Sequence, residues 1–245
     1  MICIIFDRGQ ILRVKKEVSF FMCERFSLNA ELDEITQLFR VDSIALSYKH
    51  RYNISPTTTI PAVISHEHGR QLEEFRWGLV PYWARDSINA DCHEIQHKPI
   101  FERILRKQRC LIPCSGLFGW REEGKVKQPM RIVLKGKKVF GMAGIYDVWR
   151  TAGGEIVRTC TILTTPASYE VSEYIERVPV VLENEGVDVW LDRTITNKQA
   201  LRPIFGALQQ AEFEIYPVSS VVTNTNYDGP DCIERVSPQF ALLKE

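Results

Sequence analysis

The sequence predicts a single α+β domain with largely antiparallel sheets, and three observations carry that prediction. Strand-like and helix-like stretches alternate irregularly, without the regular βαβ spacing that builds a parallel sheet. No Pro/Gly/Ser-rich linker divides the 245 residues, and 44% hydrophobic with 25% charged residues suits one buried core. Neither a G-x-G-x-x-G nor a G-x-x-x-x-G-K-[ST] phosphate loop is present.

Taken in order, residues 2–14 read as two short apolar runs around Asp7-Arg8-Gly9-Gln10, a hairpin pattern. A helix is expected from Asn29: Asn29 can cap it, Glu31 and Asp33 suit its positive end, and Leu32, Ile35 and Phe39 share one face. In 51–64, Pro56 and Pro61 interrupt β-rich text, which predicts a loop entering a strand. Residues 72–80 and 129–149 are strand-like, with a hairpin turn at Lys135-Gly136-Lys137. Pro99 opens a helix whose Ile100, Ile104 and Leu105 face inward and which ends in Arg106 and Lys107. Strands are expected at 156–164 and 213–222, and helical stretches near 167–176 and 197–209.

Charge and cysteine usage narrow the class. Thirty-one Lys+Arg balance thirty-one Asp+Glu, so no global basic field points to nucleic acid and any such role rests on a local site. No apolar run approaches the ~20 residues needed to span a bilayer. The seven cysteines (Cys3, Cys23, Cys92, Cys110, Cys114, Cys160, Cys232) are odd in number and irregularly spaced, which fits a reducing cytoplasm better than a disulfide framework. The opening MICIIFDRGQ lacks the charge and apolar pattern of a signal peptide. Cys92-His93, His97, Cys110 and Cys114 are ligand types without a paired C-x-x-C, so idle or buried thiols are expected rather than a metal site. H-E-x-x-H and G-x-S-x-G are both absent, which removes the ordinary metalloprotease and serine-hydrolase readings.

Several short segments then occur in a telling order. They are Met22-Cys23-Glu24-Arg25-Phe26, Arg51-Tyr52-Asn53-Ile54-Ser55-Pro56, Arg76-Trp77-Gly78-Leu79-Val80-Pro81 with Trp83-Ala84, and Asn89-Ala90. Arg109-Cys110-Leu111-Ile112-Pro113, Ala143 to Trp149, Arg177-Val178-Pro179-Val180-Val181-Leu182 and Val218-Ser219-Ser220-Val221-Val222 follow. Each is weak alone, but together, from Met22 to about Glu234, they resemble the SOS-response-associated peptidase (SRAP) family, which senses abasic sites in single-stranded DNA. The resemblance implies an SRAP-like domain of curved, largely antiparallel sheets with flanking helices over 22–245, preceded by an extension, 1–21. It further implies a monomeric, cytoplasmic bacterial protein of the DNA damage (SOS) response, nucleoid-associated during damage. Its partner would be single-stranded DNA with abasic sites, with no membrane partner, no metal and no cofactor.

The resemblance also places the chemistry. Family members begin Met-Cys-Gly-Arg-Phe, lose the Met, and use the N-terminal Cys as a 1,2-aminothiol. The α-amine, with an ordinary pKa of about 7.7–8.0, condenses with the aldehyde of a ring-opened abasic sugar, and the thiol closes the imine to a thiazolidine. Here Cys23 lies behind 22 residues. Either the family's self-peptidase activity removes them, or translation begins at Met22, for which Lys15-Lys16-Glu17-Val18 can encode a ribosome-binding sequence at suitable spacing. Otherwise 1–21 is a true N-terminal hairpin. The segment carries Arg8, Arg13, Lys15 and Lys16 against Asp7 and Glu17, so without it the chain is slightly acidic.

By the same resemblance, Cys23 and Asn89 are the catalytic residues, and Arg25, Trp77, Arg177 and Thr164 meet DNA, with Trp77, Pro81 and Trp83 stacking or wedging bases. Three family positions are altered. Gly119 stands where the family has the Glu of R-C-x-x-P-x-x-G-x-x-E-W, Ile175 where it has the His of H-D-R-M-P, and Asp91 where it has an Arg expected to touch phosphate. Losing general acid–base help slows chemistry by about 10²–10⁴, with Glu94, Glu122, Glu123 and Glu176 as possible replacements. Restoring Glu at 119 and His at 175 is expected to raise the rate. Three readings follow: an abasic-site crosslinker acting through Cys23, a catalytically impaired single-stranded DNA binding module, and a protein keeping only Cys23-dependent self-cleavage.

Overall fold

Runs of largely buried residues lay out the strands of the computed structural model. It describes residues 6–7, 10–11, 23–79, 88–124, 126–151, 153–210 and 212–238. In chain order the elements are β1 (Phe6–Asp7), β2 (Gln10–Ile11), β3 (Phe26–Leu28), α1 (Leu32–Phe39), β4 (Ser43–Ile44), β5 (Arg51–Ile54), β6 (Thr59–His66), β7 (Gly69–Trp77), β8 (Asn89–Asp91) and α2 (Pro99–Lys107). They continue with β9 (Arg109–Cys114), β10 (Gly116–Glu123), β11 (Val126–Leu134), β12 (Phe140–Arg150), β13 (Ile156–Pro166), α3 (Tyr169–Ser172), β14 (Arg177–Pro179), β15 (Val181–Leu182), α4 (Glu185–Leu191) and β16 (Phe213–Pro217).

Two sheets carry the α+β domain. The smaller runs β16-β11-β10-β3-β5 and is antiparallel throughout. The larger runs β14-β13-β12-β9-β6-β7-β4, with β15 on β12 and β8 on β13. It is antiparallel except where β13 meets β7 and β8 and where β4 meets β7. Ser115 alone separates β9 of the large sheet from β10 of the small one, so the chain turns from one sheet to the other within a single residue. Phe26 of the small sheet packs edge-to-face on Trp77 of the large one, with ring centroids 5.3 Å apart. A pair of that kind stabilises by about 0.5–1.5 kcal/mol beyond the area it buries. A second, smaller apolar cluster of Phe118, Val218, Val222 and Cys232 seats the C-terminal segment on the small sheet.

Most expected elements form, and the differences have local causes. α2 begins at Pro99 and ends in Arg106 and Lys107, with Ile104 and Leu105 buried. The turn at Lys135-Gly136-Lys137 forms with Gly136 at φ 73°, but the hairpin expected there does not: β11 belongs to the small sheet and β12 to the large one, so the turn passes the chain between sheets. β10 and β11 do pair as a hairpin, with Gly124 at φ 61°. α1 starts later than expected: Glu31 is its cap in a reciprocal pairing with Glu34, while the Asn29 carboxamide accepts from Arg131 at 3.1 Å. The stretch over 198–210 is a 3₁₀ helix because Pro203 interrupts it. The strand expected to reach 222 stops at Pro217. There the Ser219 hydroxyl accepts the Val221 N–H and turns the chain into a 3₁₀ turn at Ser220–Thr223. Within the expected hairpin at 2–14, β1 pairs with β2. Met22, Pro81 and Trp83 lie outside the described residues, as does the boundary between the expected extension and the domain. Among the described residues, no helix is long and apolar enough to cross a membrane.

Candidate functional site

Cys23 and Asn89 come together although 66 positions separate them. Asn89 opens β8, which lies parallel to β13 with Asn89 opposite Ile162. That placement buries the carboxamide, at 2% exposure, and aims it at the chain entering β3. Its Nδ2 donates to the Cys23 carbonyl at 2.7 Å. Its Oδ1 is buried with no hydrogen-bond partner. An unsatisfied buried acceptor costs about 1–3 kcal/mol, so this half of the amide is a standing loss to the fold.

The Cys23 side chain is fully buried. Burial pushes its thiol up to about 12, helped by the Glu24 charge and opposed by a backbone hydrogen bond from Arg25. At neutral pH the sulfur is therefore a protonated thiol and a weak nucleophile in this state.

Two of the three altered positions, Gly119 and Ile175, lie close together, with Tyr174, the neighbour of Ile175, packed against Gly119. Phe118 N–H donates to the Arg25 carbonyl at 3.1 Å, which sets β10 beside the start of β3. One residue on from Gly119, Trp120 N–H donates to the Tyr174 carbonyl at 2.9 Å. A Cβ at Gly119 would lie 2.8 Å from the Tyr174 carbonyl oxygen and 3.0 Å from the Tyr174 Cβ. The backbone next to Ile175, itself 1% exposed, therefore fills the space a longer side chain at 119 needs. Gly119→Glu with Ile175→His, expected to raise the rate, would have to move this Tyr174 backbone aside. Among the proposed replacements, Glu94, Glu122 and Glu176 are exposed, with Glu94 paired to Lys98 and Glu122 to Lys127.

The residues expected to meet DNA divide into two groups and one exception. Arg25 serves the C-terminal segment: its Nη1 donates to Asn53 Oδ1 at 3.1 Å and to the Val222 carbonyl, and its Nη2 to the Thr223 carbonyl at 3.4 Å. Arg177, Thr164 and Asp91 form the second group. Arg177 Nη2 lies 2.6 Å from Asp91 Oδ2 and donates to the Thr164 carbonyl at 2.9 Å, while its Nε donates to Thr164 Oγ1 at 3.1 Å. Trp77 is the exception. It is fully buried, with its indole N–H on the Ile88 carbonyl at 2.8 Å, so it packs the core and offers no face to a base.

One organising residue was quoted within a motif but given no role. Asn53 donates from Nδ2 to the carbonyls of Val222, Asn224 and Tyr227 at 2.8–3.1 Å, and Asp228 Oδ1 in turn accepts the Asn53 N–H at 2.8 Å. Alternation groups Asn53 with Arg51 and Ser55, opposite the apolar Tyr52 and Ile54, so no local pattern marks it for burial; its partners come from the distant C-terminal segment. Among the described residues, no group of three or more His, Cys, Asp or Glu is placed to hold a metal ion, and the described cysteines are free and buried.

Comparison with known proteins gives these features a setting. Residues 22–225 match the family model described as SOS response associated peptidase (SRAP). Abasic site processing protein YoqW of Bacillus subtilis is 34% identical over 222 residues, covering 87% of this chain and 99% of its own. Abasic site processing protein YoaM of the same organism is 33% identical, covering 87% of this chain and 98% of its own. Abasic site processing protein HMCES of Gallus gallus is 28% identical, covering 76% of this chain and 66% of its own. Among solved structures, a Bacteroides thetaiotaomicron protein superimposes with a TM-score of 0.75 at 24% identity, covering 88% of this chain and 100% of that one. That last likeness carries the fold.

Proposed function

Because the chain belongs to the SOS response associated peptidase family, we propose that it processes abasic sites in single-stranded DNA through Cys23, once that residue is an N-terminus. The observation that carries this reading is the half-satisfied Asn89: Nδ2 holds the Cys23 carbonyl and Oδ1 is buried without a donor. A free Cys23 α-ammonium is a donor of the right kind, and it would sit one residue's backbone away from the carbonyl that Asn89 already holds.

The chemistry balances without a cofactor. The neutral Cys23 amine adds to C1′ of the open-chain abasic aldehyde, and the adduct loses one water to give the imine. Cys23 Sγ then adds to the imine carbon while its proton passes to nitrogen, closing a thiazolidine. The Sγ–H supplies the proton that the nitrogen takes up, so the step balances, and the absence of a carboxylate at 119 removes general acid–base help from the sequence of steps. Release of the segment before Cys23, whether by self-peptidase chemistry or by initiation at Met22, is part of the same proposal.

A second reading has its own observation. Gly119 is closed off by the Tyr174 backbone and Ile175 is buried, which favours a catalytically impaired member that binds a strand and crosslinks poorly. One experiment separates the two. The protein starting at Met22 is mixed with a single-stranded oligonucleotide bearing one abasic site, with Cys23→Ala as control. A Cys23-dependent DNA-bound band that survives denaturing electrophoresis is the expected result. A native mobility shift without that band selects the binding module, and neither signal rejects both. N-terminal mass spectrometry of the native protein reads the start directly; a chain still beginning at Met1 in an active preparation would overturn the role given to Cys23.

A further inference from the structure

We infer that Asp91 is an internal counter-anion that occupies the anion-binding face of Arg177 and so sets how firmly, and with what salt dependence, this chain holds a nucleic-acid backbone. The inference rests on the proposed reading only in taking the ligand to be a DNA strand; it needs no crosslink.

The Asp91 carboxylate is gripped at both oxygens. Oδ2 takes the Arg177 guanidinium at 2.6 Å, and Oδ1 accepts the backbone N–H groups of His93 at 2.8 Å and Glu94 at 3.1 Å. Arg177 is fixed from the other side by the Thr164 hydroxyl and carbonyl. Three strands position these groups: Asp91 lies opposite Thr164 where β8 meets β13, and Arg177 lies opposite Pro166 where β13 meets β14. The two charged side chains keep 21% and 23% exposure, so the pair is partly open to solvent rather than buried in the core. A planar carboxylate and a phosphodiester present the same paired oxygens to a guanidinium, so a strand reaching the pair competes with Asp91 for one cation.

The position makes that competition matter. Residues two apart on a strand point to the same face, so Asp91 follows Asn89 on one side of β8 at a spacing of roughly 6.6 Å. A backbone laid past the Cys23–Asn89 pair brings a phosphate toward Arg177. There it meets a carboxylate that both neutralises the arginine and repels the newcomer. Residue 91 therefore acts on affinity through Arg177 and independently of base sequence.

The test uses the full chain and an undamaged single-stranded oligonucleotide, with fluorescence anisotropy read across a salt series. Asp91→Asn keeps the Oδ1 acceptor for His93 and Glu94 and removes the charge. It is expected to bind about tenfold more tightly at low salt, with a log–log salt slope steeper by about 0.7, the increment for one further phosphate contact on a single strand. Arg177→Gln in the same background should cancel both gains. Asp91→Ser, whose hydroxyl can take the same N–H groups, gives a second uncharged variant if Asp91→Asn melts early. Wild-type affinity and slope in both uncharged variants would overturn the inference, as would a gain that survives Arg177→Gln, or no DNA binding by either variant. Because the probe carries no abasic site and the readout is non-covalent, a failed crosslinking assay and a failed salt series remain distinguishable.

Discussion

Two buried asparagines divide the molecule into its architecture and its site. Asn53 and Asn89 are 1% and 2% exposed, each lies on a strand, and each reaches across to a distant segment. Asn53 uses everything it has: Nδ2 serves the carbonyls of Val222, Asn224 and Tyr227, and Oδ1 accepts from Arg25. Asn89 uses half: Nδ2 holds the Cys23 carbonyl and Oδ1 has no partner. A saturated amide in a covered place is a clasp, and removing it strands every group it served. An amide left half unsatisfied in equal burial lowers stability, and such a group persists where a ligand or a changed chain end can complete it. Burial alone does not distinguish the two; the accounting of donors and acceptors does.

The largest effect should come from the clasp. Asn53→Ala leaves the Arg25 guanidinium without its side-chain partner and removes the shared donor from three carbonyls of the C-terminal segment. The expected loss is about 3 kcal/mol or more, read as a lowered urea midpoint, because several buried polar groups lose their partner in one substitution. Limited proteolysis should then cut within 218–235 before it cuts the sheets. A loss under about 1 kcal/mol would mean that Arg25 and the carbonyls find other partners, and the contrast with Asn89 would fail at its stronger end.

A smaller loss is expected where the site has been closed. At Gly119→Ala the added Cβ meets the Tyr174 carbonyl oxygen at 2.8 Å. Overpacking against fixed backbone costs about 1–3 kcal/mol, and Trp120 N–H already ties β10 to that same carbonyl, so the segment cannot simply step back. A thermal melt of Gly119→Ala checks this. A neutral result would show that the 174–176 segment yields, and would reopen position 119 to the longer carboxylate that the resemblance leads one to expect there.

These contacts also show which features could be read from sequence. α2 was legible because Pro99, the apolar Ile104 and Leu105, and Arg106-Lys107 all signal helix within nine residues. The 134–140 turn was legible because a glycine between lysines sits between two strand-like runs. β9 was not: all its residues, Arg109 to Cys114, are buried in the middle of the large sheet, so the two-residue alternation that marks a strand is absent. Arg109 there reads as a charge yet spends its donors on the carbonyls of Leu105, Arg106, Trp190 and Asp192. At the site, family likeness placed Cys23, Asn89, Arg177 and Thr164, and the fold does bring them together in two adjacent groups. It could not show that Trp77 is core, that Arg25 closes on a carbonyl 197 positions away, or that Asp91 turns toward Arg177. Those are long-range pairings, and no local pattern encodes them.

Asn89 itself gives the smallest effect on stability and the sharpest split between assays. Asn89→Ala forfeits one hydrogen bond to the Cys23 carbonyl, a net loss of about 1 kcal/mol, but it also deletes a buried acceptor that was costing about as much. The two changes oppose each other, so the urea midpoint should move by no more than about 1 kcal/mol. Crosslinking to an abasic oligonucleotide should nevertheless fall at least about tenfold, since neither the Cys23 carbonyl nor a freed Cys23 amine is then held in place. Asn89→Asp, which keeps an acceptor at Oδ1, should retain more of the reaction than alanine does. Were Asn89→Ala as destabilising as Asn53→Ala, both residues would be clasps, and the unpartnered oxygen would no longer mark a site. Equal burial with opposite outcomes in the two assays is what the hydrogen-bond accounting requires.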